Sequence, residues 1–338
     1  MNTMDRVTVV IPNWNGLKWL GPCLRSLRAQ SFKGFRTIVV DNGSEDGSIH
    51  FLQSEFPEVE IVALPKNVGF AAGMNAGIRA AHGEYIAALN NDTEAHPEWL
   101  TRMVEVMDAK PEFAIFASKI MNYRQRDIFD SLGDGYRRSG LAFNLATESR
   151  DDGSIVEPFE VFGACAAACF YRRSMLDEIG LYDDDFFAYM EDVDLCIRAR
   201  MAGYRCLAVP QAVVYHVGSA SHGGTASAFS VRLTARNILL VIIKNIPATM
   251  LPRVLLTTVL VQSAVVAEAL FTGRRPWLRK HIGAYFKGLG DAMSALPATL
   301  RKRKQILLLR RISARQFSRE ITRAQAQRRA FNAKFPKH

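Results

Sequence analysis

Between residues 7 and 117 the chain alternates short apolar runs with stretches of helical period, and nothing else in the sequence restricts the fold as much. The runs Val7–Ile11, Arg36–Val40, Val59–Leu64, Tyr85–Leu89 and Phe113–Ala117 are rich in β-branched and small apolar residues, so they are predicted as strands. Between them, Leu17, Leu20, Leu24 and Leu27 mark one helical face. Ile49, Leu52 and Phe56 mark another, with Ser44 as its candidate cap, and a third helix is predicted over 70–82. Pro97 stands where a fourth can begin. Strands spaced by helices predict an α/β fold, a mostly parallel sheet with helices on both faces. Ligands of such sheets bind beyond the carboxyl ends of the strands. The polar clusters fall there: Asn13–Asn15, Asp41–Ser44, Asn67–Gly69 and Asn90–Asp92. With 49% apolar and 22% charged residues, a chain of this length has a core to build and is not a disordered one.

The rhythm lapses over 121–160, where Gly133, Gly135, Gly140 and Gly153 predict loops or a hairpin. It returns with a helix near Ser174–Ile179. The acidic run DDDFFAYMEDVD then opens a helix to about Ala202, carboxylates being favoured at a helix start. Short strands follow at Cys206–Val209 and Val213–Tyr215, ending at His216. The five cysteines are odd in number and lack zinc-type spacing, and Cys165 and Cys169 sit in the small-residue run GACAAAC. A packed interior and a reducing compartment are expected. The start, MNTMDR, runs into a strand without an apolar leader, so the body is expected in the cytoplasm.

Charge divides the chain. Residues 244–338 hold 20 Lys and Arg against 3 Asp and Glu, a net +17, and the remainder carries −7. Leu239–Ile243 and the 18 residues Val254–Phe271 are strongly apolar, broken by Pro247, Pro252, Gln262 and Glu268. Ile306, Leu309 and Ile312 offer an apolar face, and Arg311, Arg315, Arg319 and Arg323 recur every four residues as a basic stripe. Such a tail suits helices lying in the plane of an anionic membrane surface. The expected division is a catalytic domain over 1–226, with halves at about 1–120 and 121–226, and a helical docking region over 227–338.

Taken singly, the candidate site residues are ambiguous. Asp41 before Asn42-Gly43-Ser44 reads equally as an Asx turn or as a carboxylate for a nucleotide's base or ribose. Asn90-Asn91-Asp92 is a turn or one side of a divalent-cation site. Glu191, Asp192 and Asp194, interleaved with Phe186, Phe187 and Tyr189, form a solvated face or contain a general base whose proton affinity is raised by apolar walls. His216 is a structural histidine or a metal ligand. No GxGxxG follows the first strand, against a dinucleotide oxidoreductase, and no P-loop is present.

Taken in order, VTVVIPNWNG (7–16), IVVDNGSEDGS (38–48), NVGFAAGMNAGI (67–78), YIAALNNDTEAHPEWL (85–100) and the segment 180–218 around EDVDLCIRA resemble family 2 glycosyltransferases of GT-A fold, in their rhamnosyltransferase-like branch. The resemblance spans about residues 5–220. It implies that Asp41 contacts the nucleobase and that Pro12, Asn13 and Asn15 wrap the nucleotide. It places Asn67, Gly69, Asn75 and Asn91 along the donor. The family's metal-binding DXD falls on Asn90-Asn91-Asp92, leaving Asp92 as the main carboxylate, with His216 completing the site for Mn²⁺ or Mg²⁺. Asp192, beside Glu191, matches the catalytic base.

The implied activity is an inverting, metal-dependent transfer of a sugar, rhamnose from dTDP-rhamnose, to a lipid-linked saccharide in bacterial surface-polysaccharide synthesis. The expected place is the cytoplasmic face of the inner membrane, with a possible homo-oligomer. Two other readings compete. A sugar nucleotidyltransferase would need a glycine-rich phosphate loop after the first strand, which is missing. A nucleic-acid-binding protein could use the basic tail, but long apolar runs with few aromatics suit lipid better.

Overall fold

The computed structural model describes residues 5–218 and 226–336. The segment MNTM at the start therefore lies outside the described residues, as do 219–225 beside the expected boundary at 226. The elements of the first half are β1 (Val7–Asn13), α1 (Leu17–Arg28), β2 (Phe35–Asp41), α2 (Ser48–Glu55), β3 (Glu60–Ala63), α3 (Phe70–Ala80), β4 (Tyr85–Leu89), β5 (Thr93–Ala95) and α4 (Trp99–Ala109). There follow β6 (Ile115–Asn122), the short strands β7 (Phe129–Ser131), β8 (Asp134–Tyr136), β9 (Ala142–Asn144) and β10 (Phe159–Val161), then β11 (Ala168–Arg172), α5 (Arg173–Ile179), α6 (Glu191–Met201) and β12 (Cys206–His216).

The main sheet runs β10-β12-β6-β11-β4-β1-β2-β3, with β5 on β12 and β7 on β6. β3, β2, β1 and β4 are parallel, as are β6 and β12, whereas β11 runs antiparallel between β4 and β6. The sheet is thus mostly parallel on this path, as the alternation predicts. The pleat sends Val7, Val9 and Ile11 to one face, with Leu20, Leu24 and Leu27 of α1 and Trp99, Leu100 and Met103 of α4. It sends Val10, Ile38 and Val40 to the other, against Met74 and Ile78 of α3, Met175 and Ile179 of α5 and Leu195 of α6. Helices cover both faces. All five cysteines are free thiols, and Cys23, Cys169, Cys196 and Cys206 are buried.

Three local expectations are corrected. Ser44 does not cap α2, which begins at Ser48 after a left-handed Gly47. Asp46 holds that start instead, accepting from the Ser48 N–H at 3.1 Å and the Leu17 N–H at 2.9 Å. The DDD run does not open α6: Asp184–Phe186 form a 3₁₀ turn, and Phe187, Tyr189 and Met190 have positive φ before α6 starts at Glu191. The two strands expected around Pro210 are one strand, β12, whose pairing to β6 shifts between Val209 and Val213. Proline has no N–H to give the ladder, so the strand continues past it with an irregular register.

After residue 226 the chain is helical: α7 (Ala228–Asn245), α8 (Leu251–Phe271), α9 (Pro276–Lys280), α10 (Ile282–Leu308) and α11 (Ala314–Lys334). Ile238, Leu240, Val241 and Ile242 of α7 share a core with Ile197 and Met201 of α6 and with Phe317 and Ile321 of α11. The apolar run Leu239–Ile243 is therefore a packing helix. α8 is the opposite case, with 17% of its apolar window buried. The basic stripe is also corrected. The chain leaves α10 at Leu308 and re-enters a helix at Ala314, where Ser313 and Gln316 form a reciprocal cap, so Arg311 is not in line with Arg315, Arg319 and Arg323. Arg311 instead pairs with Glu178 at 2.7 Å.

Candidate active site

The carboxyl ends of β1 and β2 lie side by side, Asn13 opposite Asp41 and Pro12 opposite Val40. Asp41 is fully buried, and its carboxylate accepts from the Ser44 N–H at 2.9 Å and Asn13 Nδ2 at 3.2 Å. Asn13 in turn accepts from Asn91 Nδ2 at 2.7 Å, which ties this corner to the end of β4. Gly16 makes that approach possible, since a Cβ there would stand 2.0 Å from Asn91 Nδ2. Asn15, in a left-handed conformation, accepts from the Glu45 N–H at 2.8 Å, and its own N–H donates to Ser44 Oγ at 2.9 Å. Pro12, Asn13, Asn15, Asp41 and Asn91 are thus one connected loop cluster.

The β3–α3 loop closes against the acidic segment. Asn67 Oδ1 accepts from the Gly69 N–H at 2.9 Å. Gly69 has φ +91°, and a Cβ there would sit 2.6 Å from the Phe187 carbonyl oxygen. Asn75 lies elsewhere. It is buried in α3, where its amide donates to Tyr182 O at 2.8 Å and Asp184 Oδ1 at 2.6 Å and its oxygen accepts from the Tyr182 N–H at 3.0 Å. Its hydrogen bonds anchor the 182–184 segment.

A second group forms where β12 ends beside β5, with His216 opposite Thr93. His216 Nε2 is 3.4 Å from Asp92 Oδ1 and 3.5 Å from Asn90 Nδ2. Its Nδ1 is 2.6 Å from Asp130 Oδ2. Burial disfavours the charged ring, but the hydrogen bonds to Asp130 and Asp92 outweigh it and hold the imidazole pKa up at about 10, so a cation at Nε2 would take the place of a ring proton. Asn90 Oδ1 is buried without a hydrogen-bond partner. An imidazole nitrogen, a carboxylate oxygen and an unclaimed amide oxygen are a fitting donor set for a divalent cation. The 3.4 Å gap is also about what two atoms each bound at roughly 2.1 Å to one ion span.

The third group is the start of α6. Glu191, Asp192 and Asp194 occupy its first turn but diverge in surroundings. Asp194 is fully buried and salt-bridged to Arg198 at 2.9 Å and Lys244 at 2.7 Å, and these cations keep its carboxyl below the usual range against the opposing effect of burial. Glu191 is buried, with Oε2 unpartnered, and burial plus the Asp192 charge push its carboxyl well up. Asp192 is half-buried and accepts from the Val193 N–H at 2.7 Å and the Ala166 N–H at 3.2 Å. Burial still raises its proton affinity. Acidic or thiol atoms of Asp134, Cys165 and Asp192 lie within 4.8 Å of one another.

Asp130, Asp134 and Lys244 are the participants that sequence reasoning missed. The first two flank the turn between β7 and β8, inside the stretch without periodicity. A pair of carboxylates four residues apart beside glycine, FDSLGD, was their only signal. Lys244 was hidden in the basic count of the tail.

Comparison with known proteins bears on the fold and the family. The family described as Glycosyl transferase family 2 matches residues 8–180, about half of the chain. An uncharacterized glycosyltransferase of Bacillus subtilis (strain 168) is 27% identical over 220 residues, covering 63% of this chain and 75% of that protein. A pre-mycofactocin glycosyltransferase of Mycobacterium tuberculosis (strain ATCC 25618 / H37Rv) is 29% identical over 238 residues, covering 67% of this chain and 48% of that protein. The chain thus spans about half the length of the latter relative. Among solved structures, a mannosyltransferase from Pyrobaculum calidifontis in complex with GDP-Man and Mn²⁺ superposes with a TM-score of 0.52 at 18% identity, covering 97% of this chain and 86% of that one. Likeness at that identity speaks for the fold alone, which is GT-A.

Proposed function

The chain belongs to glycosyl transferase family 2, and from that premise we propose that it moves a sugar from a nucleotide-sugar donor to a lipid-linked saccharide with inversion at the anomeric carbon. The proposed donor is dTDP-rhamnose, and the proposed setting is bacterial surface-polysaccharide synthesis at the cytoplasmic face of the inner membrane. The observation that carries the reading is the pairing of two unlike acidic centres at one sheet edge. Asp92 and His216 form a cation-type donor set, while Asp192 is a carboxylate of raised proton affinity at a helix start.

In this mechanism Asp41 and Asn13 receive the nucleoside, and Asp92, His216 and Asn90 hold a divalent cation, Mn²⁺ or Mg²⁺. When bound, that cation would neutralise the charge that gathers on the departing diphosphate. Asp192 takes the proton of the acceptor hydroxyl. The acceptor oxygen then bonds to the anomeric carbon as the bond to the diphosphate breaks, and the electron pair leaves with the nucleoside diphosphate. The experiment is a panel of nucleotide sugars with Mn²⁺ or Mg²⁺, read by release of nucleoside diphosphate. Turnover is expected with dTDP-rhamnose, to vanish with excess chelator and to return on adding either metal. Turnover of another donor alone would replace the sugar assignment, and full activity in chelator would overturn the metal assignment.

Membrane attachment has its own support. α8 exposes Leu256, Val259, Leu260, Leu270 and Phe271, and Trp277, Phe286 and Met293 extend the apolar surface on α9 and α10. Arg253, Arg274, Arg279, Lys280 and Lys287 lie exposed on the same helices or their connections. α8 is 21 residues long, enough at about 1.5 Å per residue to cross a bilayer. Yet it leans on protein along its length. Thr258 donates to Ser139 O at 2.7 Å, Gln262 meets Tyr285 at 3.4 Å, and Glu268 pairs with Arg275 at 2.6 Å. These contacts favour docking in the plane of the interface over a span.

The full chain is expected to sediment with anionic vesicles at low salt. Leu260→Glu with Phe271→Glu should weaken that binding at least tenfold, since each apolar side chain contributes about 1.5–3 kcal/mol when buried. Indifference of the full chain to such vesicles would make α8 a contact for another protein chain.

A further inference from the structure

Asp130 has no place in the proposed chemistry, yet it touches a residue that does. It sits between Phe129 and Ser131, both buried, in the three-residue strand β7. The strand is pinned on both sides. β7 pairs antiparallel with β6, and the Phe129 N–H and C=O bond to Ser149 O and the Glu148 N–H, each at 2.9 Å. Ser131 Oγ closes the following turn on Gly133 O and Asp134 Oδ1 at 3.2 Å. The backbone at 130 is therefore fixed, and it delivers a carboxylate to 2.6 Å from His216 Nδ1.

We infer that Asp130 is a positioning residue for the divalent cation, holding the His216 ring so that Nε2 faces Asp92 and Asn90. The inference rests on the reading that Asp92 and His216 hold the cation. A histidine that ligates through Nε2 must keep its remaining proton on Nδ1, and the group opposite Nδ1 decides whether it does. A carboxylate can only accept there, so it selects the tautomer that leaves the Nε2 lone pair free. It also restrains rotation of the ring, which stands on the last residue of β12. Asp130 is also 39% exposed, so it can do this without the cost of a fully buried charge. An amide at the same place can turn its NH₂ toward Nδ1 and select the wrong tautomer.

The test measures Mn²⁺ binding to the full chain by the electron paramagnetic resonance signal of free Mn²⁺, so that no turnover is involved. Outer partners of ligating histidines typically contribute 10–100-fold to metal affinity. Asp130→Asn is expected to raise the Mn²⁺ dissociation constant by about that factor, Asp130→Ala by at least as much, and Asp130→Glu to restore part of it. His216→Ala and Asp92→Asn are the accompanying ligand variants. If His216→Ala weakens Mn²⁺ binding while Asp130→Asn and Asp130→Ala leave it within twofold of wild type, Asp130 does not position the ring. If neither ligand variant changes Mn²⁺ binding, the metal reading fails first and the inference falls with it. Thermal melts of all variants separate either result from a folding defect, and two different substitutions at 130 keep the question answerable if one of them misfolds.

Discussion

Asp192→Asn is expected to keep donor binding and to lose sugar transfer by about 10²–10⁴-fold, the usual cost of removing a general base. The substitution is nearly isosteric, but the Ala166 and Val193 N–H groups donate to different oxygens of Asp192, so the asparagine keeps one of these two bonds and a thermal melt checks that the start of α6 holds. What changes is that an amide cannot take a proton at catalytic rates. The neighbours do not substitute for it equally. Asp194 is engaged by Arg198, Lys244 and Asn245 and has no free face. Glu191, with an unpartnered oxygen, is the one alternative on this turn, and near-normal turnover in Asp192→Asn would transfer the role to it. The wild-type pH profile adds a second check. Burial raises the proton affinity of Asp192, and a base must be ionised to act, so activity should fall on the acid side at a pH above the ordinary carboxylate range. An acid limb at or below about pH 4 would contradict that.

Lys244→Met is expected to destabilise the whole chain by about 3–5 kcal/mol at pH 7, as breaking one side of a buried ion pair does. Lys244 is 2% exposed, and its ammonium lies 2.5 Å from Asp183, 2.7 Å from Asp194 and over the Phe186 ring. Removing it leaves Asp194 with Arg198 and Asp183 with Lys302, each carboxylate short of a cation. The pH dependence has a definite sign. The pKa of Asp183 is about 2 in the folded chain, held down by Lys244 and Lys302 against burial, and that of Asp194 is also lowered. The stability these groups contribute is present above about pH 4 and is lost as pH falls through their folded values. In Lys244→Met the carboxylates protonate more readily, so the deficit against wild type should narrow from pH 7 toward pH 4. Urea unfolding at both pH values measures it. A loss under about 1 kcal/mol at pH 7 would show that the other cations suffice.

The same residues bear on the region after residue 226. Asn237 of α7 reaches the carbonyls of Phe186, Ala188 and Tyr189, at 3.1, 2.9 and 2.7 Å, which lead into Glu191 and Asp192. Lys302 of α10 joins Asp183 and Asp185 at 2.5 and 2.6 Å. A chain ending near Ala226 would lose all of these partners and uncover Asp194. Point substitutions on α8, rather than truncation, are therefore the sound test of docking.

β1, β2 and β4 were legible because most of their residues are buried on both faces and read as continuous apolar runs between helical periods, whereas the edge strand β3 is half-exposed and was found from its place in the alternation. Asp41, Asp92 and His216 were legible for a related reason: each closes or follows such a strand. Asp130 was not, since strands of three residues carry too little pattern to announce a face. Lys244 was not either, because a lysine's sequence neighbours do not reveal that it folds under against Asp183 and Asp194. The basic stripe misled because a four-residue period says nothing about whether the helix carrying it is continuous, and the cap at Ser313 lies inside it.

The five free thiols give the native chain a chemical silence that can be put to use. Burial pushes the Cys23 thiol up to about 12 and the other four upward as well, Cys165 with added opposition from the Asp134 and Asp192 charges. A thiol reagent reacts with thiolate and needs access, and at the four buried cysteines the folded protein offers it little of either. Alkylation of those four can then proceed only as fast as the packed sheet opens, with the partly exposed Cys165 reacting ahead of them. The cysteines are spread from α1 through β11 and α6 to β12, so the order in which they become modified maps which layers part first.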